Sequence, residues 1–235
     1  MLKINRLTEI GVRCQTDKAY FHLFTEFYMS YFEKYLDKHV SILEIGIAQG
    51  GSLRLLDSYF PNATIYAIDI NENSVNLKLG NNIHTFLCSQ DDFQKLQELF
   101  DGMKFDIIIE DGSHLTSHQQ KSLGFFFPFL NKDGIYICED LHTSYRESFV
   151  DTNITTMEMI ENYQKTKSIK SDMLSDTQID YLNQNIVDVV LYERQHNALQ
   201  CYSCKTYNTE GRNYCVCGIN LSPSDRSITS VFLHA

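Results

Sequence analysis

The stretch that most constrains this chain is Val40-Ser-Ile-Leu-Glu-Ile-Gly-Ile-Ala-Gln-Gly-Gly-Ser-Leu53. Its apolar, β-branched run from Val40 to Ile47 is long enough for a buried strand and too short for most helices. The run breaks into Gly46, Gly50 and Gly51, and Ser52 is placed to cap an amphipathic segment, Leu53 to Tyr59. Strand, glycine turn and helix therefore follow in that order. Such a turn lets a ligand approach the backbone closely, beside a helix N-terminus with unpaired N–H groups.

Two ligand classes use this geometry. Gly46, Ala48 and Gly51 fall on the dinucleotide spacing with alanine in the middle, and Asp69 follows at about the distance of a ribose-binding acid. A nucleotide-dependent oxidoreductase is thus one reading. Glu44, two residues before the first glycine, argues for the other, because it would set negative charge against a pyrophosphate and suits a cationic ligand instead.

Further along, strands are expected at Val40 to Ile47, Thr64 to Ile70, Ile83 to Ser89, Phe105 to Glu110, Gly134 to Glu139 and Ile186 to Glu193. Helices are expected near Ser52 to Tyr59, Asp91 to Phe100, His114 to Leu130 and Asn153 to Lys165. Alternation of this kind predicts an α/β fold, a largely parallel sheet with helices on both faces, and a ligand beyond the carboxyl ends of the strands. Ahead of it, Met1 to Gln15 has no clear period and is expected to wrap the surface. Thr16 is then expected to cap one helix carrying Phe21, Phe24, Phe27, Tyr28, Tyr31, Phe32 and Tyr35. The polar stretch Glu147 to Asn185 reads as a surface insertion or a lid. This divides the chain into an N-terminal helical segment (1–39), a ligand-binding domain (40–194) and a Cys-rich appendage (195–235).

A net charge of −10 argues against a nucleic-acid surface, which usually needs a basic face. No run of about 18 apolar residues offers a membrane span and no secretory leader is visible, so a soluble cytoplasmic protein is expected. A homo-oligomer is compatible with such a chain. Cys14, Cys88 and Cys138 read as core or half-buried thiols. Cys201-x-x-Cys204 and Cys215-x-Cys217 have plausible bite spacing for a four-thiolate Zn²⁺ site, with free thiols in a hairpin or disulfides as the alternatives. A last strand is expected at Arg226 to Leu233.

The strand ends carry the chemistry. Asp69 ends the second strand, where a carboxylate can accept both ribose hydroxyls of an adenosine. Ser89, Gln90 and Asp91 end the third and can reach an adenine edge, although Asp91 is equally placed to cap the next helix. Glu110-Asp-Gly-Ser-His114 and Glu139-Asp-Leu-His142 end two strands whose order and short connection make them neighbours about 5 Å apart. Asp111, Glu139 and Asp140 would then converge and repel unless a cation neutralises them; the bland alternative is three acids fanned into solvent. A hard divalent cation such as Mg²⁺ fits oxygen ligands of this kind.

Leu43-Glu-Ile-Gly46, Gly50-Gly-Ser-Leu53, Tyr59-Phe-Pro-Asn-Ala63, Asp111-Gly-Ser-His114 and Glu139-Asp-Leu-His142 together resemble the class I S-adenosylmethionine-dependent methyltransferases. More narrowly they resemble the metal-dependent sugar O-methyltransferases of macrolide tailoring, from about Thr16 to Tyr145. The resemblance implies a Rossmann-like sheet, mostly parallel with an antiparallel C-terminal strand, and S-adenosylmethionine bound at Glu44, Gly46, Gly50, Ser52 and Asp69. It further implies that Asp17, Lys18 and His22 lie near that pocket. Asp111, Glu139 and Asp140 would ligate the metal, and His114 would be the base, with His118 on the same face and His142 as the spare. The acceptor would be a sugar or glycoside hydroxyl, on a surface glycan or a natural product. A non-catalytic cofactor- or glycan-binding module of the same fold is the remaining alternative. The appendage departs from the family pattern, which closes with a short antiparallel hairpin.

Overall fold

Strands that are apolar on both sides need cover on both faces, and this sheet has it. The computed structural model describes residues 4–235. Seven strands, β1 (Val40–Ile45), β2 (Ala63–Asp69), β3 (Ile83–Leu87), β4 (Phe105–Glu110), β5 (Leu130–Cys138), β6 (Ile186–Glu193) and β7 (Ile228–His234), form one sheet in the order β3-β2-β1-β4-β5-β7-β6. β1 to β5 run parallel, and β7 lies antiparallel between β5 and β6. The pleat sends Leu43, Ile108, Tyr136 and Cys138 to one face and Ile42, Ile107, Ile109 and Ile137 to the other.

The first face packs against α6 (Phe93–Phe100), α7 (Thr116–Phe126), α8 (Thr156–Thr166) and α9 (Asp176–Asn185), through Phe100, Phe126, Ile160 and Leu182 among others. The second packs against α1 (Arg6–Arg13), α3 (Phe24–Phe32) and α4 (Gly51–Tyr59). Short helices α2 (Asp17–Tyr20) and α5 (Glu72–Val75) complete the set. Strand order reverses between β1 and β4, which opens the crevice where ligands of such sheets sit.

Several expectations need correction. Within Met1 to Gln15, residues 1–3 lie outside the described residues, but Arg6–Arg13 is a helix whose Leu7 and Ile10 are buried against the sheet. Asn5 caps it by accepting from the Thr8 N–H at 2.8 Å. The aromatic run is not one helix: it breaks at Leu23, whose φ is 57°, and Thr16 makes no capping hydrogen bond. Ser52 does not cap α4, because Gly50 takes that position at φ 71° and Ser52 lies inside the helix. Asp92, not Asp91, caps α6, accepting from the Lys95 N–H at 3.2 Å. The polar stretch 147–185 is largely helical: α8 and α9 start with complete capping boxes at Thr155 and Ser175 and bury Met159, Ile160 and Leu182. Among the described residues no helix is long and apolar enough to cross a membrane.

Candidate active site

The carboxyl ends of β1, β2, β4 and β5 converge on Gly46. Its φ is +95°, and a Cβ there would lie 2.1 Å from the Asp111 carbonyl oxygen, so only glycine lets the turn after β1 and the chain leaving β4 approach so closely. Three cavities share this residue. One, about 150 Å³, is lined by Ile68, Asp69, Cys88, Ser89, Gly112 and His118. A second, about 240 Å³, is bordered by Lys18, Glu44, Gly51, Ser52, Tyr202 and Lys205. Between them, a third of about 240 Å³ holds Asp69, Asp111, His114, Glu139 and Asp140. Asp17, His22 and Asp140 continue that centre into a fourth, of about 360 Å³, beside His142 and Arg146.

Asp69 ends β2 with its Oδ2 accepting from the Ile47 and Ala48 N–H groups at 2.8 and 3.2 Å, and its Oδ1 from Asn71 N–H at 2.8 Å. The acid therefore shapes the glycine turn while bordering two cavities. Ser89 also faces this side, its hydroxyl donating to Asp91 at 2.5 Å. Gln90 lines the same cavity, with its amide engaged in the protein. That group is buried, donating to Glu110 at 2.9 Å and Ser122 at 3.2 Å and accepting from the Ser113 N–H at 2.8 Å. Asp91 is exposed and turns to His118, 3.5 Å away. His118 thus belongs to the cavity of Asp69 and not to the face of His114.

At the centre stands Lys18. Its buried ammonium donates to Asp111 and, at 2.7 Å, to Glu139, and lies 3.7 Å from Glu44. Burial would lower the Lys18 pKa, but Asp111, Glu139 and Glu44 together hold it well above the ordinary lysine range. Burial pushes Glu44 up to about 7 against the pull of Lys18. Both of its oxygens are buried without a hydrogen-bond partner. Glu139 is likewise raised by burial, opposed by Lys18, and Asp111 is raised for the same reason.

Asp140 differs. Burial would raise it, yet His22, His114, His142 and Lys18 hold it below the usual aspartate range. Its oxygens lie 3.9 Å from His22 Nδ1, 3.6 Å from His114 Nε2 and 3.8 Å from His142 Nδ1. For His114, burial would lower the pKa, but Asp111, Asp140 and Glu110 raise it. Both Asp140 and His114 have left-handed backbones, φ 52° and 61°, in the turns that aim them inward.

Of the three expected metal ligands, the fold brings Asp111 and Asp140 together with His114, each offering an atom within 4.8 Å of the others. Glu139 turns its Oε2 to Lys18, while its Oε1 is buried without a partner. Lys18 faces Glu44, Asp111 and Glu139, while His22, His114 and His142 surround Asp140; Asp111, Asp140 and His114 are the groups that offer a divalent cation ligand atoms close together. Sequence reasoning saw Lys18 only as pocket-lining; nothing local signals that it joins acids far along the chain. Tyr202 and Lys205, from the appendage, were missed altogether.

Comparison with known proteins gives the chain a family. A methyltransferase-domain family model matches residues 36–186. The chain is 35% identical, over 61% of its length and 39% of the relative's, to the 8-demethyl-8-alpha-L-rhamnosyl tetracenomycin-C 2'-O-methyltransferase of Streptomyces olivaceus. It is 36% identical, over 61% of its length and 38% of the relative's, to the mycinamicin VI 2''-O-methyltransferase of Micromonospora griseorubida. The matched stretch thus makes up less than half of these curated relatives. Among solved structures, the MycE methyltransferase of the mycinamycin biosynthetic pathway, in complex with Mg, SAH and mycinamycin VI, superposes with a TM-score of 0.70 at 25% identity, covering 98% of this chain and 55% of that one. A chain whose family model spans more than half its length belongs to the methyltransferase-domain family.

Proposed function

We propose that this chain is a divalent-cation-dependent S-adenosylmethionine O-methyltransferase acting on a hydroxyl of a sugar or sugar-bearing small molecule. The observation that carries the reading is the meeting of Asp111, His114 and Asp140 at Gly46, between the cavities of Asp69 and Glu44 on one side and of His22 and His142 on the other. The named sugar O-methyltransferase activities of the relatives, and the Mg and SAH in the MycE complex, support it. A dinucleotide is disfavoured by buried Glu44, which would face its phosphates.

Asp69 receives the ribose hydroxyls, with Ser89 beside the adenine. The oxygens of Glu44, one of them 3.7 Å from the Lys18 ammonium, accept the ammonium of the amino-acid end, which holds that carboxyl ionised despite its burial. Asp111 and Asp140 hold the cation, and Glu139 joins them through its unpartnered Oε1. When bound, the cofactor supplies a methyl group on a sulfonium leaving group, and the cation supplies positive charge beside the acceptor oxygen. His114 takes the acceptor's proton, and the charge it gains is stabilised by Asp111, 4.0 Å away, and Asp140. His142, buried beside His22, lines the acceptor side. The seven thiols, none in a disulfide, suit a reducing, cytoplasmic setting.

The test is methyl transfer from labelled S-adenosylmethionine to a panel of rhamnosides, measured against Mg²⁺ concentration. Activity should vanish in EDTA, and Asp140→Asn should lose activity that excess Mg²⁺ partly returns. Full activity in EDTA would sink the metal role. Failure to bind S-adenosylhomocysteine in calorimetry would sink the cofactor.

A further inference from the structure

The segment 195–227 has only a small apolar core of its own. Its buried apolar residues, Ala198, Cys201, Cys215 and Leu221, share a small core with Tyr20 and Phe21. Its regular pairing is two isolated antiparallel bridges, Gln200 with Tyr207 and Tyr214 with Asn220. So small a core does not usually fix a chain without a staple.

Each bridge closes a turn that carries two cysteines, and the two turns are built alike. In the first, Cys201 N–H donates to the Thr206 carbonyl at 3.0 Å and Lys205 N–H to the Cys201 carbonyl at 3.1 Å. In the second, Cys215 N–H donates to Ile219 at 2.8 Å and Gly218 N–H to the Cys215 carbonyl at 2.9 Å. In both, the residue just after the second cysteine is left-handed, Lys205 at φ 59° and Gly218 at φ 89°. That conformation costs a lysine about 1–2 kcal/mol and persists where its surroundings over-determine it.

The turns aim all four sulfurs at one point. Cys201 Sγ lies 3.6 Å from Cys217 Sγ, Cys204 Sγ lies 3.3 Å from Cys215 Sγ, and all four fall within 4.8 Å of one another. These separations are too long for disulfides, whose S–S bond is about 2.05 Å. Zinc–sulfur bonds of about 2.3 Å give a regular tetrahedron with edges of about 3.8 Å, which four thiolates in this arrangement reach with changes in separation of no more than about 1 Å.

We propose that Cys201, Cys204, Cys215 and Cys217 form a structural Zn²⁺ site, and that this site fixes a wall of the cofactor cavity. Four protein ligands close the tetrahedron and leave no open position for chemistry, so the metal acts on shape. Tyr202, between the first two ligands, and Lys205, directly after the second, line the cavity of Glu44 and Ser52. Tyr202 also borders the cavity of His22 and His142, together with Ile219 and Asn220 of the second turn. The wall is fastened to α2, the helix of Lys18. Leu199 and Gln200 N–H groups donate to the Tyr20 carbonyl at 2.7 and 3.1 Å, Lys205 Nζ donates to the Tyr20 hydroxyl at 2.7 Å, and the Tyr202 ring meets Phe21 edge-on at 4.8 Å. The wall's role rests on the cofactor reading above; the metal site itself does not.

The experiment measures metal and thiols in the full chain, purified under reducing conditions without chelator. About one zinc per chain is expected, with four of the seven thiols slow to react until a mercurial displaces the metal. Cys204→Ser and Cys217→Ser should lose the zinc, and Cys14→Ser should keep it. Should the serine variants not fold, loading the wild type with Co²⁺ decides, since four thiolates give cobalt an intense charge-transfer band. No bound metal, iron in place of zinc, or Cys201–Cys217 and Cys204–Cys215 disulfides would each overturn the site. For the wall, zinc-free Cys204→Ser and zinc-loaded Tyr202→Ala should both bind S-adenosylhomocysteine at least about tenfold more weakly in calorimetry, because an ordered wall is then lost or cut back. Unchanged affinity in zinc-free protein would overturn the wall and leave the metal count standing. A wild type that holds zinc but does not bind S-adenosylhomocysteine would refute the cofactor reading, and the wall with it.

Discussion

Lys18→Met keeps most of the side-chain volume and removes one charge from the centre of the site. At an effective dielectric of about 20, unit charges 3.7 and 2.7 Å apart attract by roughly 4 and 6 kcal/mol, the separations of the Lys18 ammonium from Glu44 and Glu139. Desolvation of the ammonium offsets much of this, and stranding the partners of a buried charge costs about 3–5 kcal/mol net. For a chain of 235 residues that is on the order of 10 °C in Tm.

The loss should depend on pH. Glu44, raised from 4.5 to about 7, binds more protons folded than unfolded, so its burial weighs against the fold progressively as pH rises between those values. Without Lys18 the acids shift further up, and protonation at pH 5 relieves what is unrelieved at pH 8. Thermal unfolding of both proteins at pH 5 and 8, with and without Mg²⁺, should show a large deficit at pH 8, a smaller one at pH 5, and partial recovery with the cation. A Tm change under about 2 °C at pH 8 would show that the ammonium does not compensate the acids. An equal deficit at both pH values would assign the loss to packing.

Three further outcomes follow from the geometry. Gly46→Ala drives a Cβ to 2.1 Å from the Asp111 carbonyl at a φ of +95°, so stability should fall by about 2 kcal/mol or more in urea unfolding, and an unchanged midpoint would contradict the close approach. Asp69→Ala should weaken S-adenosylhomocysteine binding roughly tenfold or more, read by calorimetry, since hydrogen bonds to a charged group are worth about 1.5–3 kcal/mol. His114 must be neutral to accept a proton, and its pKa lies above the ordinary 6.5. Turnover should therefore rise with pH along a limb that moves down as Mg²⁺ fills the site and offsets Asp111 and Asp140, and His114→Ala should lose about 10²- to 10⁴-fold in kcat without rescue by metal; near-wild-type turnover in His114→Ala would remove it from the role.

Period and strand ends were legible in the chain before any fold was known. Alternating apolar segments specified the parallel sheet and its covered faces, and the acids after β2, β4 and β5 stood at the carboxyl ends where such a sheet must bind. Asp111 and His114 share one turn, so their proximity was legible locally. Contacts between distant segments were not. Lys18 meets Glu139 across 121 positions, and no local pattern tells a lysine in the first helices that its counter-charges lie there. Gln90 and Ser89 are adjacent at one strand end and both line the cavity, yet the fold ties the Gln90 amide to Glu110 under Gly112, a contact across 20 positions. α1 went unseen because only Leu7 and Ile10 mark its apolar face, although Asn5 was a cap signal in plain view. Spacing paired the cysteines within each turn and offered the two pairs as one four-thiolate site, whereas only the folded chain set that site beside the cavity, because short bites are local and the place of a loop is set by what it packs against.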